Sequence, residues 1–253
     1  MKGTVFHAPL ELNVLVDGEE WNQAGLVKGV VKVKNHGKEA VDLSSFGAML
    51  AYGAIKKVKA KDPSAFSDEV KLTFPANKKI AAGAEEELVW EFPLDRNCPI
   101  TEKAGSLFIV YGELEKLEQI GHLQLAINPL KILNEFLVIF ENFHRFQVKD
   151  KKSKKGWIDV KIKPPGSKEF ASLEQLNLFM HINDDKELLL KYKFKTKKLD
   201  FKNGDMGVKK GSLEFDQTLN HKQYIMFKDN PNQDGILKAL DEILTQVKTK
   251  TLG

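Results

Sequence analysis

The chain has 253 residues, 42% hydrophobic and 29% charged, which excludes a disordered tail and leaves room for one large core or two ordinary ones. Mean hydropathy is −0.33, no apolar run nears the roughly 18 residues of a membrane helix, and Met1 to Val16 shows neither the apolar core nor the small-residue site of a signal peptide. A single cysteine, Cys98, excludes an internal disulfide and a thiolate metal cluster, and implies a reducing, cytoplasmic setting. The net charge of +4 is divided unevenly. Residues 1–127 hold 15 Lys and Arg against 18 Asp and Glu, whereas residues 128–253 hold 24 against 17. All the basic residues but Arg96 and Arg145 are lysines. Lysine is a hydrated point charge rather than a planar fork, which weighs against nucleic acid as a partner and predicts a largely solvated surface.

Taken in chain order, Leu10–Val16 alternates Leu10, Leu12, Val14 and Val16 with polar neighbours, the signature of a half-buried strand. Leu26–Lys34 follows, and Asn35-His36-Gly37-Lys38 turns the chain into Val41–Ile55. Lys71–Phe74, Glu87–Phe92, Leu107–Leu114 and Gly121–Ile127 read as further short strands, with punctuation at Asp17-Gly18, Asp62-Pro63, Pro75, Ala82-Gly83, Pro93, Pro99 and Gly105. Frequent turns without a helical period between them predict an antiparallel sandwich.

The style changes at Asn128-Pro129. From Lys131 to His144, Leu133, Phe136, Leu137, Phe140 and Phe143 recur at three and four, one helical stripe. Strands are expected again at Phe146–Val148, Trp157–Lys163, Leu173–Ile182, Glu187–Phe194, Ser212–Phe215 and Gln223–Phe227, with hairpin loops at Asn183–Lys186 and Asn203-Gly204-Asp205. Leu188–Lys202 alternates Tyr192, Phe194 and Leu199 with lysines 191, 193, 195 and 197, the pattern of an edge strand guarded against mispairing. Gly235–Val247 is amphipathic, with Asn232 or Asp234 available to cap it. The expected fold is all-β: two tandem immunoglobulin-like sandwiches, residues 1–128 and 129–253, with a short helix opening the second and an amphipathic helix closing it.

Several stretches then carry a resemblance. Asp17-Gly18-Glu19 followed by Val27-Lys28-Gly29-Val30-Val31-Lys32-Val33, Ile80–Glu85, Trp90-Glu91-Phe92-Pro93-Leu94, Pro99-Ile100-Thr101 and Gly105–Tyr111 are similar to the strand motifs of arrestin-like proteins. Gly121–Pro129 resembles the last strand of their N-terminal domain. The helix at Lys131–Phe143 with Leu173–Phe179 resembles the bacterial and archaeal sporulation-control branch, in which a short helix opens the second sandwich. The loop Glu20–Leu26 is longer than the pattern, and two arginines leave no place for the buried Asp–Arg core of visual and β-arrestins. The resemblance implies a non-enzymatic scaffold or regulator with protein partners.

Candidate chemistry is sparse. Asn230–Gly235 with Asp241 at the twelfth place has the outline of a calcium loop, yet its first ligand is neutral, its last is the shorter aspartate, and Lys238 holds the ninth place. A turn plus helix cap is expected there. The six histidines are scattered, short of the roughly three or four ligands of a zinc site. Cys98 lies between Asn97 and Pro99 with no oxyanion-type turn. No catalytic residue, metal or cofactor is therefore assigned. The sharpest positive features are lysine runs, Lys151, Lys152, Lys154 and Lys155 in an expected hairpin loop, and Lys209 with Lys210. Such runs are ordinarily solvated surface, but they could contact an acidic protein, a phosphorylated peptide, an anionic membrane surface or nucleic acid. Trp21, in the long first loop, is the candidate exposed anchor for a protein partner. Two functions are thus carried forward, a cytoplasmic adaptor acting through protein contacts and a module binding an anionic partner through the second half.

Overall fold

Strands of alternating polarity need a second layer over their apolar side, and each half of the chain supplies its own. The computed structural model describes residues 1–116, 120–202, 205–228 and 230–252. The chain divides into two compact units, Met1–Asn128 and Pro129–Gly253.

The first unit runs β1 (Lys2–His7), β2 (Leu10–Asp17), β3 (Glu20–Asn22), β4 (Leu26–Asn35), β5 (Val41–Asp42), β6 (Phe46–Ala54), α1 (Ile55–Lys59), β7 (Phe66–Thr73), β8 (Lys79–Ile80), β9 (Glu85–Pro93), β10 (Gly105–Glu113), β11 (Gly121–Gln124) and β12 (Ala126–Asn128). Two four-stranded antiparallel sheets, β1-β2-β4-β9 and β11-β10-β6-β7, close on one core. The alternation seen in the sequence is the reason. Leu10, Leu12, Val14 and Val16 of β2, Val27, Val31 and Val33 of β4, and Trp90 and Phe92 of β9 all point inward against Leu50, Leu107, Ile109 and Tyr111. Gly29 lies opposite Trp90 across the sheet, and a Cβ there would run into the indole and the Leu15 carbonyl, so glycine gives the ring its space.

The strands β6 and β10 are buried on both faces, which explains their unbroken apolar runs. On the outer side Met49, Ala51, Phe108 and Val110 join Leu114 in a second cluster under Ile55 and Val58 of α1. The expected single strand Val41–Ile55 is divided accordingly: Asp42 accepts the Ser44 N–H at 2.8 Å, Leu43 turns into the core, and Ile55 opens α1. Similarly, Gly121–Ile127 breaks at Leu125 into β11 and β12, and β12 pairs in parallel with β3.

In the second unit α2 (Lys131–His144) precedes β13 (Gln147–Lys154), β14 (Trp157–Lys163), β15 (Leu173–Ile182), β16 (Leu188–Lys202), β17 (Asp205–Leu219), α3 (His221–Tyr224), β18 (Ile225–Phe227), β19 (Asn230–Pro231) and α4 (Gln233–Leu252). The five long strands form one antiparallel sheet in sequence order. One face buries Ile158, Val160, Ile162, Leu176, Leu178, Met180, Leu190, Tyr192 and Phe194. The layer over this face is helical rather than a second large sheet: α2 contributes Leu133, Phe136, Leu137 and Phe140, and α4 contributes Ile236, Leu240, Ile243, Leu244 and Val247. Tyr192 Oη donates to Gln217 Oε1 at 3.0 Å, and Gln217 Nε2 donates to the Ala239 carbonyl at 3.0 Å, tying sheet to α4.

Two sequence expectations change here. Leu188–Lys202 is an interior strand between β15 and β17, not an edge, so its lysines line a face instead of guarding a border. The stretch 223–227 begins as α3, a single turn with a reciprocal cap between Asn220 and Gln223, before becoming β18. The expected loop at Asn203-Gly204 and the side chain of Leu199 lie outside the described residues. Asn232 caps α4 by accepting the Gly235 N–H at 3.1 Å, as a turn plus cap requires.

One buried polar residue joins three separate stretches of the first unit. Asn35 is 0% exposed, accepts the Gly37 N–H at 2.8 Å and donates to the carbonyls of Glu39 at 2.7 Å and Ala81 at 3.2 Å. Asn35→Ala orphans those groups and should lower unfolding free energy by about 3 kcal/mol in guanidinium titrations followed by tryptophan fluorescence. Lys32→Ala, which removes an exposed 2.7 Å pair with Glu87, should leave the same titration midpoint nearly unchanged, since exposed pairs are screened by water and salt.

Candidate functional site

Trp21 is not an exposed anchor. Short β3 pairs Trp21 with Ile127 of β12, and the half-buried indole packs on the first core with its ring edge over Gly18. The lysines 151, 152 and 154 lie in strand β13 rather than in a loop. Only Lys155 is in the turn, where it and Gly156 take φ of 51° and 78°, the two positive values of a tight two-residue hairpin. Lys151 Nζ donates to Asn134 Oδ1 of α2 at 3.2 Å, which ties it down, whereas Lys154 and Lys155 are exposed. Lys209 and Lys210 are exposed on β17. Because β13 and β17 are opposite edges of the sheet, about four strand spacings or roughly 19 Å separate the two lysine groups. They do not form one patch by themselves.

What links them is the face that the helices leave bare. Strand alternation sends Lys152 and Lys154 of β13, Lys161 and Lys163 of β14, lysines 191, 193, 195 and 197 of β16, and Lys210 of β17 to the same side. Carboxylates there are Asp150, Asp159, Glu214 and Asp216, so lysines lead by about two to one. The Lys193–Glu214 pair is close, at 3.2 Å. Near the β13–β14 turn the face becomes aromatic. His181 lies over Trp157 with centroids 5.2 Å apart, and Lys191 Nζ sits 5.0 Å from the indole centroid. His181 Nδ1 is 2.8 Å from the Gly156 carbonyl, so that nitrogen carries the proton. The period of two in β14 to β16 was the signal for this cluster. Its significance was hidden because the sequence alone does not show which face stays uncovered.

A second polar grouping lies between α2 and α4, where a groove of about 270 Å³ is lined by His144, Arg145, Glu169, Asp241 and Lys248, among others. His144 Nε2 is buried without a hydrogen bond and stands 3.7 Å from Asp241 Oδ1. Burial lowers its pKa; Asp241 opposes that and Lys248 adds to it. His122, packed near Phe66 and Phe108, is lowered by burial as well. Among the described residues no three His, Cys, Asp or Glu side chains gather as metal ligands do, and no helix is long and apolar enough to cross a membrane.

The two depressed histidines make stability depend on pH. The unfolded chain takes up their protons first, near the ordinary histidine value of about 6.5, while the folded chain resists, so stability present above that value is lost as pH falls. Unfolding free energy should therefore decline between about pH 7.5 and pH 5.5, and the double variant H122Q/H144Q should show a shallower slope in urea titrations across that range.

No protein-family model matches the chain, and no curated protein matches it in sequence. Among solved structures, the crystal structure of Spo0M, the sporulation control protein of Bacillus subtilis, aligns with 94% of this chain and 98% of that one, with a TM-score of 0.60 and 14% sequence identity. At that identity the likeness is one of fold, and it is the arrestin-like fold that the strand motifs of the sequence imply.

Proposed function

We propose that this chain is a non-enzymatic scaffold or regulator that binds other proteins through its strand edges. The observation that carries this reading is β7. It is the outer strand of its sheet, paired with β6 on one side and with no strand on the other among the described residues. Val70 is 46% exposed and Leu72 is 38% exposed, with Lys71 between them. Unpaired backbone groups beside bare apolar side chains are a liability that sheets usually cover. An added partner strand would satisfy those groups and cover both side chains. Likeness to a protein named for sporulation control supports a regulatory role over a catalytic one. The double variant V70K/L72K should unfold within about 0.5 kcal/mol of the parent yet lose its partners in cross-linking mass spectrometry from the source cells. Recovery of the same partners by the variant would exclude β7 as the contact, and a parent chain that captures nothing above background would sink the adaptor reading itself.

A second reading, a module for an anionic partner such as a membrane surface, an acidic protein or nucleic acid, is favoured by the lysine excess on the bare face of the β13–β17 sheet. Each lysine near an anionic surface contributes about 1 kcal/mol. Reversing Lys191, Lys193 and Lys195 to glutamate should weaken binding to phosphatidylcholine vesicles carrying phosphatidylserine by at least about 100-fold, and the parent's binding should fall steeply with salt. Binding that ignores salt would dispose of this reading.

A further inference from the structure

The outer face of the β1-β2-β4-β9 sheet gathers four of the ten exposed large apolar side chains among the described residues: Phe6, Leu15, Leu26 and Val89. Register fixes their arrangement. Leu15 of β2 stands opposite Val30 of β4, and Val30 stands opposite Val89 of β9, so these three make one apolar bar across three neighbouring strands. Val89 is 76% exposed, Leu15 is 40% exposed and Val30 is half-buried. Lys2 of β1 continues the bar with its aliphatic stem.

Charge on either side of the bar is sorted by strand. Outward positions of β2 carry Glu11 and Asp17, those of β4 carry lysines 28, 32 and 34, and those of β9 carry Glu85, Glu87 and Glu91. Cross-strand pairs hold β4 to β9, at 2.7 Å for Lys32–Glu87 and 2.9 Å for Lys34–Glu85, while Lys28 stands 3.9 Å from Glu91. With Lys2, the face sets four lysines against five carboxylates. It is close to neutral, unlike the lysine-rich face of the second unit, which would repel a copy of itself.

We propose that this face is the contact between two copies of the chain. The operation that fits is a two-fold axis lying along the strands, midway between β2 and β4. It lays the apolar bar on itself, with Leu15 against Val30 of the other copy. It also sets the acidic column of β2 on the basic column of β4, so that Asp17 faces Lys28 and Glu11 faces Lys34 of the other copy. A two-fold axis across the strands would instead oppose lysine to lysine along β4. An axis between β4 and β9 would oppose unlike charges, but β9 borders the sheet, so only two strands would overlap. The axis between β2 and β4 overlaps all four. Four strands about 4.8 Å apart and about 30 Å long offer roughly 570 Å² per copy, or about 1,150 Å² in all, at the lower end for a specific interface. Aligned sheets pack this way, about 10 Å apart. The charge columns fix partner and orientation more than they add affinity, so the dimer is weak.

The test is sedimentation velocity of the full chain at low salt, at concentrations up to about 1 mM, which covers weak association. The parent's dimer fraction should rise with concentration. Asp17→Lys and Lys28→Glu each bring like charges together twice in a two-fold contact, and each alone should weaken self-association at least about tenfold. An equimolar mixture of the two variants should recover the parent's association. In the mixed dimer the introduced lysine meets the introduced glutamate, and the untouched Lys28 meets the untouched Asp17. A residue that merely supports folding gives no such complementation. Guanidinium titration checks that both variants fold; if either does not, Glu11→Lys and Lys34→Glu make the same comparison. The double variant V70K/L72K, on β7, should associate as the parent does. A parent that stays monomeric throughout, a mixture that does not recover, or loss of association in V70K/L72K would overturn the proposal.

Discussion

Side chains along a strand alternate between faces, so the pairing of β16 with its neighbours decides which of its residues become core and which become surface. In the register observed, Tyr192, Phe194 and Thr196 are buried and lysines 191, 193, 195 and 197 are exposed. A slip of one residue would exchange the two sets and bury a row of ammoniums, each at a cost of several kcal/mol. That penalty exceeds anything the surface lysines contribute individually, so the core residues dictate the register and the lysines follow. The Tyr192–Gln217–Ala239 hydrogen bonds then hold β16, β17 and α4 in that arrangement. The bare lysine face is a product of that parity.

The two units meet the same need for a covering layer in different ways. The first covers a sheet with a sheet, then adds α1 and Leu114 over the outer side of β6 and β10. The second covers its sheet with α2 and α4 on one side and leaves the other to water. This difference determines where binding surfaces can arise. In the first unit exposed ion pairs such as Lys32–Glu87 and Lys34–Glu85 lace the face of the β1-β2-β4-β9 sheet, and β7 is one of the outer strands. In the second unit an entire face is presented, and its character is set by which residue types occupy the outward positions.

Edges and faces present backbone groups and charge without demanding a closed cleft. Weak, exposed pairs contribute little to stability, so a bare lysine face can be arranged for recognition at small energetic expense.

Much was legible in the sequence because period and punctuation are local properties. The strands β2, β4, β9, β14 and β15, the stripe of α2, and the cap and stripe of α4 could all be read from spacing, since a helix or strand must put its apolar residues on one side whatever surrounds it. Other features depend on neighbours distant in sequence. Whether the alternation in Leu188–Lys202 marks an edge or an interior strand depends on β17 lying beside it; whether Trp21 is exposed depends on β12 pairing with β3; and Lys250 stands over the Phe215 ring only because α4 packs back along the sheet. Residue type and period were therefore set within the chain's own local order, while exposure, opposition of charges and the convergence of groups from separate elements were decided by tertiary pairing, because only folding determines which surfaces meet and which remain in water.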